Sequence, residues 1–402
     1  MSGKIATIHL KRDRDRPVRH GHPWIFSGAV ARWEEDAGLP GPADVVAYDG
    51  EWIARGWANP RCNLAARILT RRRDEAVDEA LLADRLDRAL DLRERLFGPI
   101  GLQESTNAYR LVFSEADGLS GLIVDRYADA CAVRVGAAAW LRWLPFVREH
   151  LAARTGIMRF HFAAESDAAE REGLDANAVD AESRYASQTT RIRESGFLYD
   201  IDVAGGQKTG FYLDQRESRC RVARYAAGCD VLSAYCYTGS FELHAAAAGA
   251  KSIMGLDASV PALERARRQH ALNDLSVPVE YREADVPVAL RKFRDEARSF
   301  DMIVLDPPRF VNNPGQLAKG LRAYKDINLL ALKLLRPGGI LATFSCSGWV
   351  KEEQLLMALG WAATDARREV QVLETLTQPP DHPVLLSFPE GAYLHGLVVR
   401  TV

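Results

Sequence analysis

The chain has 402 residues, 47% of them hydrophobic and 26% charged, with a formal net charge of -2. Such a length predicts two or three domains. The near-neutral charge excludes a protein basic over its whole surface and confines any nucleic-acid contact to a local patch. No run of about 18 apolar residues occurs, so no membrane span is expected. The charge-dense stretch 1–16 lacks the apolar core of a signal peptide. The six cysteines (62, 131, 220, 229, 236 and 346) form no CxxC pair and no zinc-ligand spacing. Reduced thiols, a cytoplasmic location and no metal are the expectation.

Three zones follow in chain order. In residues 1–75, strand patterns at 5–10, 44–48 and 52–57 are separated by glycine and proline, which predicts a small β-barrel-like domain. Its early basic cluster (Lys11, Arg12, Arg14, Arg16, Arg19 and His20) neighbours Trp24 and Phe26. Cations meet phosphates and rings stack on bases, so this is the expected RNA-facing patch; a solvated charge run beside a core tryptophan is the alternative. In residues 76–190, Leu81, Leu82, Leu86, Ala89, Leu90 and Leu96 recur at helical spacing. Strands are expected at 109–113, 122–127 and 130–135, a helix at 139–154, and a boundary or loop at 166–186. This reads as a small α+β domain without assignable chemistry. In residues 191–402, apolar runs at 229–235, 252–257, 279–282, 301–306 and 339–344 alternate with helical stretches. That alternation predicts a parallel sheet covered by helices, with ligands at the carboxyl ends of its strands.

The unusual residues fall at those ends. The first strand runs into Tyr237-Thr238-Gly239, where one glycine lets backbone approach a ligand; this is not the GxGxxG fingerprint. Asp257 suits a ribose hydroxyl and Asp285 an adenine amino group, although either could simply cap the next helix. In Asp306-Pro307-Pro308-Arg309-Phe310 the prolines hold the backbone extended. A carboxylate beside a flat aromatic there can grip the edge of a planar base, a stiff turn being the blander reading. Cys346 ends the fifth strand between two serines. Such a cysteine is often a small buried hydrophobe. On the ligand side it has a use: thiolate addition at C6 of a pyrimidine makes C5 able to attack a methyl sulfonium. A free thiol titrates near about 8.5, so the site has to lower that value or remove the proton during attack.

Taken in order, Gly206-Gln207-Lys208-Thr209-Gly210-Phe211-Tyr212-Leu213-Asp214-Gln215-Arg216, Tyr237-Thr238-Gly239-Ser240-Phe241, the Asp306–Phe310 motif and Ser345-Cys346-Ser347 resemble the bacterial 23S ribosomal RNA cytosine-C5 methyltransferases. The resemblance covers the whole chain. It implies an α/β fold in which a C-terminal Rossmann-like class I methyltransferase domain (191–402) follows an N-terminal PUA-like β-barrel (1–75) and a small central α+β domain (76–190). The implied cofactor is S-adenosylmethionine and the implied partner large-subunit ribosomal RNA, with a homodimer left open. Cys346 matches the nucleophile, and Asp306 the acid that contacts the cytosine edge. Phe211, Gln215, Tyr237, Thr238, Gly239, Asp257 and Asp285 match cofactor positions, and Phe211, Asp214 and Gln215 a stretch lining the pocket. Lys208, Arg216, Arg309 and Phe310 join Lys11, Arg12, Arg14, Arg16, Arg19 and Trp24 as expected RNA contacts. Asp381-His382-Pro383 and Pro389-Glu390-Gly391 also look like family features, without an assigned role.

The chain departs from the family pattern at three points. Ser233 replaces the usual Asp or Asn, Ser240 the usual Gly, and Arg309 leaves no second cysteine after the double proline. The base that removes the C5 proton is therefore open. Methylation of a base nitrogen, with Cys346 incidental, and a non-catalytic RNA-binding assembly factor are the competing readings.

Overall fold

The computed structural model describes residues 5–34, 39–100, 102, 105–184, 189–203 and 210–402. They form two compact units: Met1–Arg193 with Ile201–Leu213 and Pro380–Gly391, and Glu194–Asp200 with Asp214–Pro379 and Ala392–Val402.

The first unit begins with β1 (Ala6–Leu10), α1 (Arg16–Arg19), β2 (Trp24–Phe26), β3 (Val30–Glu34), β4 (Gly41–Val46), β5 (Trp52–Ala58) and β6 (Leu64–Thr70). They make a six-stranded sheet in the order β2-β6-β5-β4-β1-β3, in which β1 and β4 are parallel. Strand alternation puts Ala6, Ile8, Leu10, Ala43 and Val45 into its core. Strands β2, β3 and β6 were not expected; β2 has only three residues, and arginines in the other two obscure the apolar alternation.

The chain continues through α2 (Glu79–Phe97), β7 (Ala108–Phe113), β8 (Leu122–Tyr127), β9 (Ala130–Val135), α3 (Leu144–Thr155), β10 (Arg159–Ala164), α4 (Ser166–Glu172) and α5 (Ala176–Asp180). Asp78 caps α2 by accepting from the Leu81 N–H, and Leu81, Leu82, Leu86, Ala89 and Leu90 line its buried face, whereas Leu96 is exposed near its end. The second sheet has the order β10-β9-β8-β7. The helix expected at 139–154 starts as a 3₁₀ segment, Ala138–Trp143, and becomes α-helical where Pro145 occupies the first turn. The loop expected at 166–186 holds α4 and α5 instead; Asp175 caps α5 through the N–H groups of Asn177 and Ala178. Trp57 and Trp140 meet edge to face at 4.3 Å, within a core that includes both sheets of this unit. The Asp381 motif is structural here: its backbone oxygen accepts from Arg93 and its carboxylate from the Arg110 N–H.

After a ribbon of β11 (Thr189–Glu194) and β12 (Phe197–Asp202), the second unit contains α6 (Arg216–Ala223), β13 (Asp230–Ala234), α7 (Ser240–Ala247), β14 (Ser252–Asp257), α8 (Val260–Leu272), β15 (Val279–Glu283) and α9 (Val286–Asp295). It ends with β16 (Phe300–Leu305), α10 (Leu317–Leu334), β17 (Leu335–Ser345), α11 (Glu352–Ala366), β18 (Val370–Thr377) and β19 (His395–Thr401). The sheet order is β15-β14-β13-β16-β17-β19-β18. All pairs are parallel up to β17; β19 then runs antiparallel to both β17 and β18. One apolar layer under α9, α10 and α11 and another under α6 and α7 cover the two faces, which is why the central strands read as unbroken apolar runs.

In the first unit, Arg110 and Asp125 lie opposite each other on β7 and β8 and form a buried two-pronged ion pair of 2.8 and 2.9 Å. Removing one partner strands a buried charge. Asp125→Ala is expected to destabilise this unit by about 3–5 kcal/mol, seen as a lower urea midpoint by circular dichroism.

Candidate cofactor and base site

Two strands of the parallel sheet flank β13, namely β14 and β16, so the chain leaves its carboxyl edge in both directions from this point. A crevice opens there in sheets of this kind. The turn after β13 is strained: Tyr235, Tyr237 and Gly239 all have positive φ (64°, 49° and 80°). Bulky side chains adopt this region rarely, at a cost of about 1–3 kcal/mol each, and such strain clusters at functional sites. The turn is held by Cys236 N–H to the Leu256 carbonyl at 3.0 Å, Tyr237 N–H to Asp257 Oδ2 at 2.9 Å and Gly239 N–H to the Cys236 carbonyl at 2.9 Å. A Cβ on Gly239 would stand 2.6 Å from the Tyr281 hydroxyl and 3.0 Å from Ala266 Cβ, so only glycine fits.

Asp257 spends its oxygens on the N–H groups of Tyr237 and Ser259 and so shapes the turn; Ser259 is the cap of α8. Asp285 caps α9 through the Val288 N–H at 3.0 Å and stays exposed, combining the capping reading with a carboxylate at the sheet edge. Asp306 follows β16, and Gln215 Nε2 donates to its Oδ2 at 3.2 Å, joining two positions that lie far apart in sequence. Leu305 pairs with Thr343, so Asp306 and Cys346 emerge from adjacent strand ends. Cys346 is half-buried and packs against the layer containing Phe344 and Tyr393. Phe310 tilts at 4.9 Å against the buried ring of Tyr324, while Ser347 Oγ donates to the Val311 carbonyl at 2.6 Å and pins the loop after the double proline. Burial pushes the Tyr324 phenol up to about 12, so it is a donor at neutral pH. Arg309 is exposed at this edge. Asp214 accepts from the Tyr393 hydroxyl at 2.7 Å.

Phe211 belongs to the first unit, buried, with its carbonyl accepting from the Tyr127 hydroxyl at 3.4 Å. Arg216 is also buried, beside Glu217, and leaves the exposed basic set. Lys208 lies outside the described residues. Trp24 is half-buried: its indole N–H donates to Glu115 at 2.9 Å and its ring meets Phe388 at 4.5 Å. Phe26, 46% exposed, is the aromatic that this strand presents. Arg19 is tied to Asp15 and Glu51, both at 2.6 Å, whereas Lys11, Arg12, Arg14 and Arg16 are exposed. Arg12 lies 5.7 Å from the exposed Tyr48 ring, an aromatic that the sequence reading passed over.

Sequence reading also passed over Glu242, in the first turn of α7 and 1% exposed. Its signal was an acid between Phe241 and Leu243 in an otherwise apolar helix. The buried Thr238 Oγ1, Gln215 Oε1, Tyr281 hydroxyl and both Glu242 oxygens have no hydrogen-bond partner among the described residues. Buried polar atoms rarely stay unpaired. Their convergence around an acid-lined turn fits a polar, cationic nucleoside cofactor such as S-adenosylmethionine.

Comparison with known proteins agrees. An S-adenosylmethionine-dependent methyltransferase family model matches residues 173–398, and a PUA-like domain model residues 8–71. The chain is 42% identical over 395 residues to ribosomal RNA large subunit methyltransferase I of Shewanella denitrificans, covering 98% of each. It is 36% identical to the protein of that name in Alteromonas mediterranea, again over 98% of both. Two solved methyltransferase structures, one from Streptococcus mutans and one complexed with SAH, share the fold with TM-scores of 0.83 and 0.84 at 17% identity.

Gly239→Ala is expected to weaken S-adenosylmethionine binding by about tenfold or more, from left-handed strain of about 1–2 kcal/mol plus the clash with Tyr281; calorimetric titration reads it. Strained turn, strand-end acids and matched family model converge: the chain belongs to the S-adenosylmethionine-dependent methyltransferases that carry a PUA-like domain, alongside the large-subunit ribosomal RNA methyltransferases I.

Proposed function

We propose that the protein methylates C5 of a cytosine in large-subunit ribosomal RNA, with Cys346 as nucleophile. The observation that carries this reading is the emergence of Asp306 and Cys346 from adjacent parallel strand ends, one carboxylate and one thiol at a single edge. Their chemistry is complementary. As a carboxylic acid, Asp306 would donate its proton to N3 of cytosine and accept from the amino group through its other oxygen, oriented by Gln215, and the flat ring of Phe310 suits the base face.

The Cys346 thiolate forms a bond to C6, and the C5=C6 electron pair moves to C5. The bound cofactor supplies an electrophilic methyl group on sulfur. C5 takes that methyl group, the S–CH₃ electron pair staying on the sulfonium sulfur to leave a neutral thioether; a base removes the C5 proton, the C5–H pair re-forms C5=C6, and the C6–S pair returns to the Cys346 sulfur. Thiolate and pyrimidine are regenerated, and the net change is C5–H to C5–CH₃ with one proton released. The target base has to be unpaired or extruded to reach the edge. Lys11, Arg12, Arg14 and Arg16, with Phe26 and Tyr48, are the exposed groups suited to RNA phosphates and bases.

The test is incubation with tritiated S-adenosylmethionine and unmodified large-subunit rRNA, followed by nucleoside analysis. Wild type is expected to place label in 5-methylcytidine and Cys346→Ala to fall to background. Asp306→Asn is expected to lose about 10²–10³-fold in turnover. Label in a nitrogen-methylated nucleoside, undiminished in Cys346→Ala, would refute the covalent route; RNA binding without any label would point to an assembly factor.

A further inference from the structure

Glu242 is the buried acid that the proposed reaction does not use. It sits behind the strained turn, and neither carboxylate oxygen has a hydrogen-bond partner among the described residues. The Ser233 hydroxyl faces it from β13 and offsets part of the effect of burial on its carboxyl. Tyr281 of β15, Tyr199 of β12 and Cys236 of the turn surround it, all near enough to sense its charge. Asp257 and Asp306 act on it from the sheet edge as like charges.

The cations nearby are committed elsewhere. On α6, Arg219 is locked to Glu194 at 2.6 Å; on α8, Arg267 donates to the Tyr281 carbonyl at 2.7 Å. On its own helix, burial drives His244 down to about 3, so that imidazole is neutral. Burial, with repulsion from Asp257 and Asp306, pushes the Glu242 carboxyl up to about 7. S-adenosylmethionine carries an ammonium, a sulfonium and a carboxylate, a net positive charge. SAH lacks the sulfonium.

We propose that Glu242 is the counter-charge to the cofactor's cationic centre and gives up its proton to solvent as the cofactor binds. The sign follows from linkage. Below about pH 7 the cofactor has to expel a proton to meet a carboxylate, so affinity is lost as pH falls; above it the carboxylate is already formed and affinity levels off. The two cationic groups make separable demands: an ammonium partner serves S-adenosylmethionine and SAH alike, a sulfonium partner S-adenosylmethionine alone.

Calorimetric titration of the full chain with S-adenosylmethionine and with SAH, at pH 6, 7 and 8 in buffers of different ionisation enthalpy, tests this. Wild type is expected to bind S-adenosylmethionine about tenfold more tightly at pH 8 than at pH 6 and to release part of a proton at pH 6. Glu242→Gln, with its thermal melt checked against wild type, is expected to lose both effects. SAH following the same profile identifies the ammonium as the partner; SAH binding independent of pH identifies the sulfonium. A flat wild-type profile overturns the proposal, as does a pH dependence that survives in Glu242→Gln. If Glu242→Gln fails to fold, the wild-type profile and proton count alone decide.

Discussion

Everything in the second unit depends on the position of β13, flanked by β14 on one side and β16 on the other. Because both neighbours are parallel to it, their carboxyl ends come out at one edge, and the connections beyond them diverge. The acids at that edge, Asp257 and Asp306, are therefore products of topology as much as of local sequence. Adding β17 to the same parallel set brings Cys346 to that edge as well. A reversal in any of these strands would send one of the groups to the opposite end of the sheet.

The cost of this arrangement is electrostatic. Carboxylates gathered at one edge repel, and a protein can settle that by pairing, by protonation or by leaving the charge for a ligand. Different solutions occur within the unit. Glu194 is paired with Arg219 in a buried bridge. Asp257 is satisfied by two backbone N–H groups. Neither Glu242 oxygen has a hydrogen-bond partner among the described residues, and its carboxyl is pushed up to about 7. A cofactor that brings positive charge answers the same imbalance, so the shape of the edge and its charge select for the same kind of molecule.

The parallel strands were legible in the sequence because burial on both faces leaves unbroken apolar runs such as Met302-Ile303-Val304-Leu305. The antiparallel pair β18 and β19 was not, since β18 is mostly exposed and carries no such run. Strand-end acids and Cys346 could be found by position within the alternating pattern. Glu242 left only the weak signal of an acid between two apolar residues, because a charged residue in a helix is ordinarily solvated, and packing shows that this one is enclosed. At Trp24 the sequence left two readings open, a stacking surface or a core tryptophan, because the partners that cover part of it, Glu115 and Phe388, lie far along the chain.

That placement changes how the N-terminal domain would hold RNA. Trp24 is half-buried and Arg19, though exposed, is ion-paired with Asp15 and Glu51, which leaves Lys11, Arg12, Arg14 and Arg16 of that cluster beside two exposed rings, Phe26 and Tyr48. The Arg16 contact to Asp13 is solvent-exposed on both sides and holds the guanidinium only weakly. Phosphate contacts from such a set are sequence-independent and weaken as salt rises. In the proposed reaction, choice of the target base therefore falls to the sheet edge, where Asp306 and Phe310 can read one extruded cytosine, while the N-terminal patch supplies proximity.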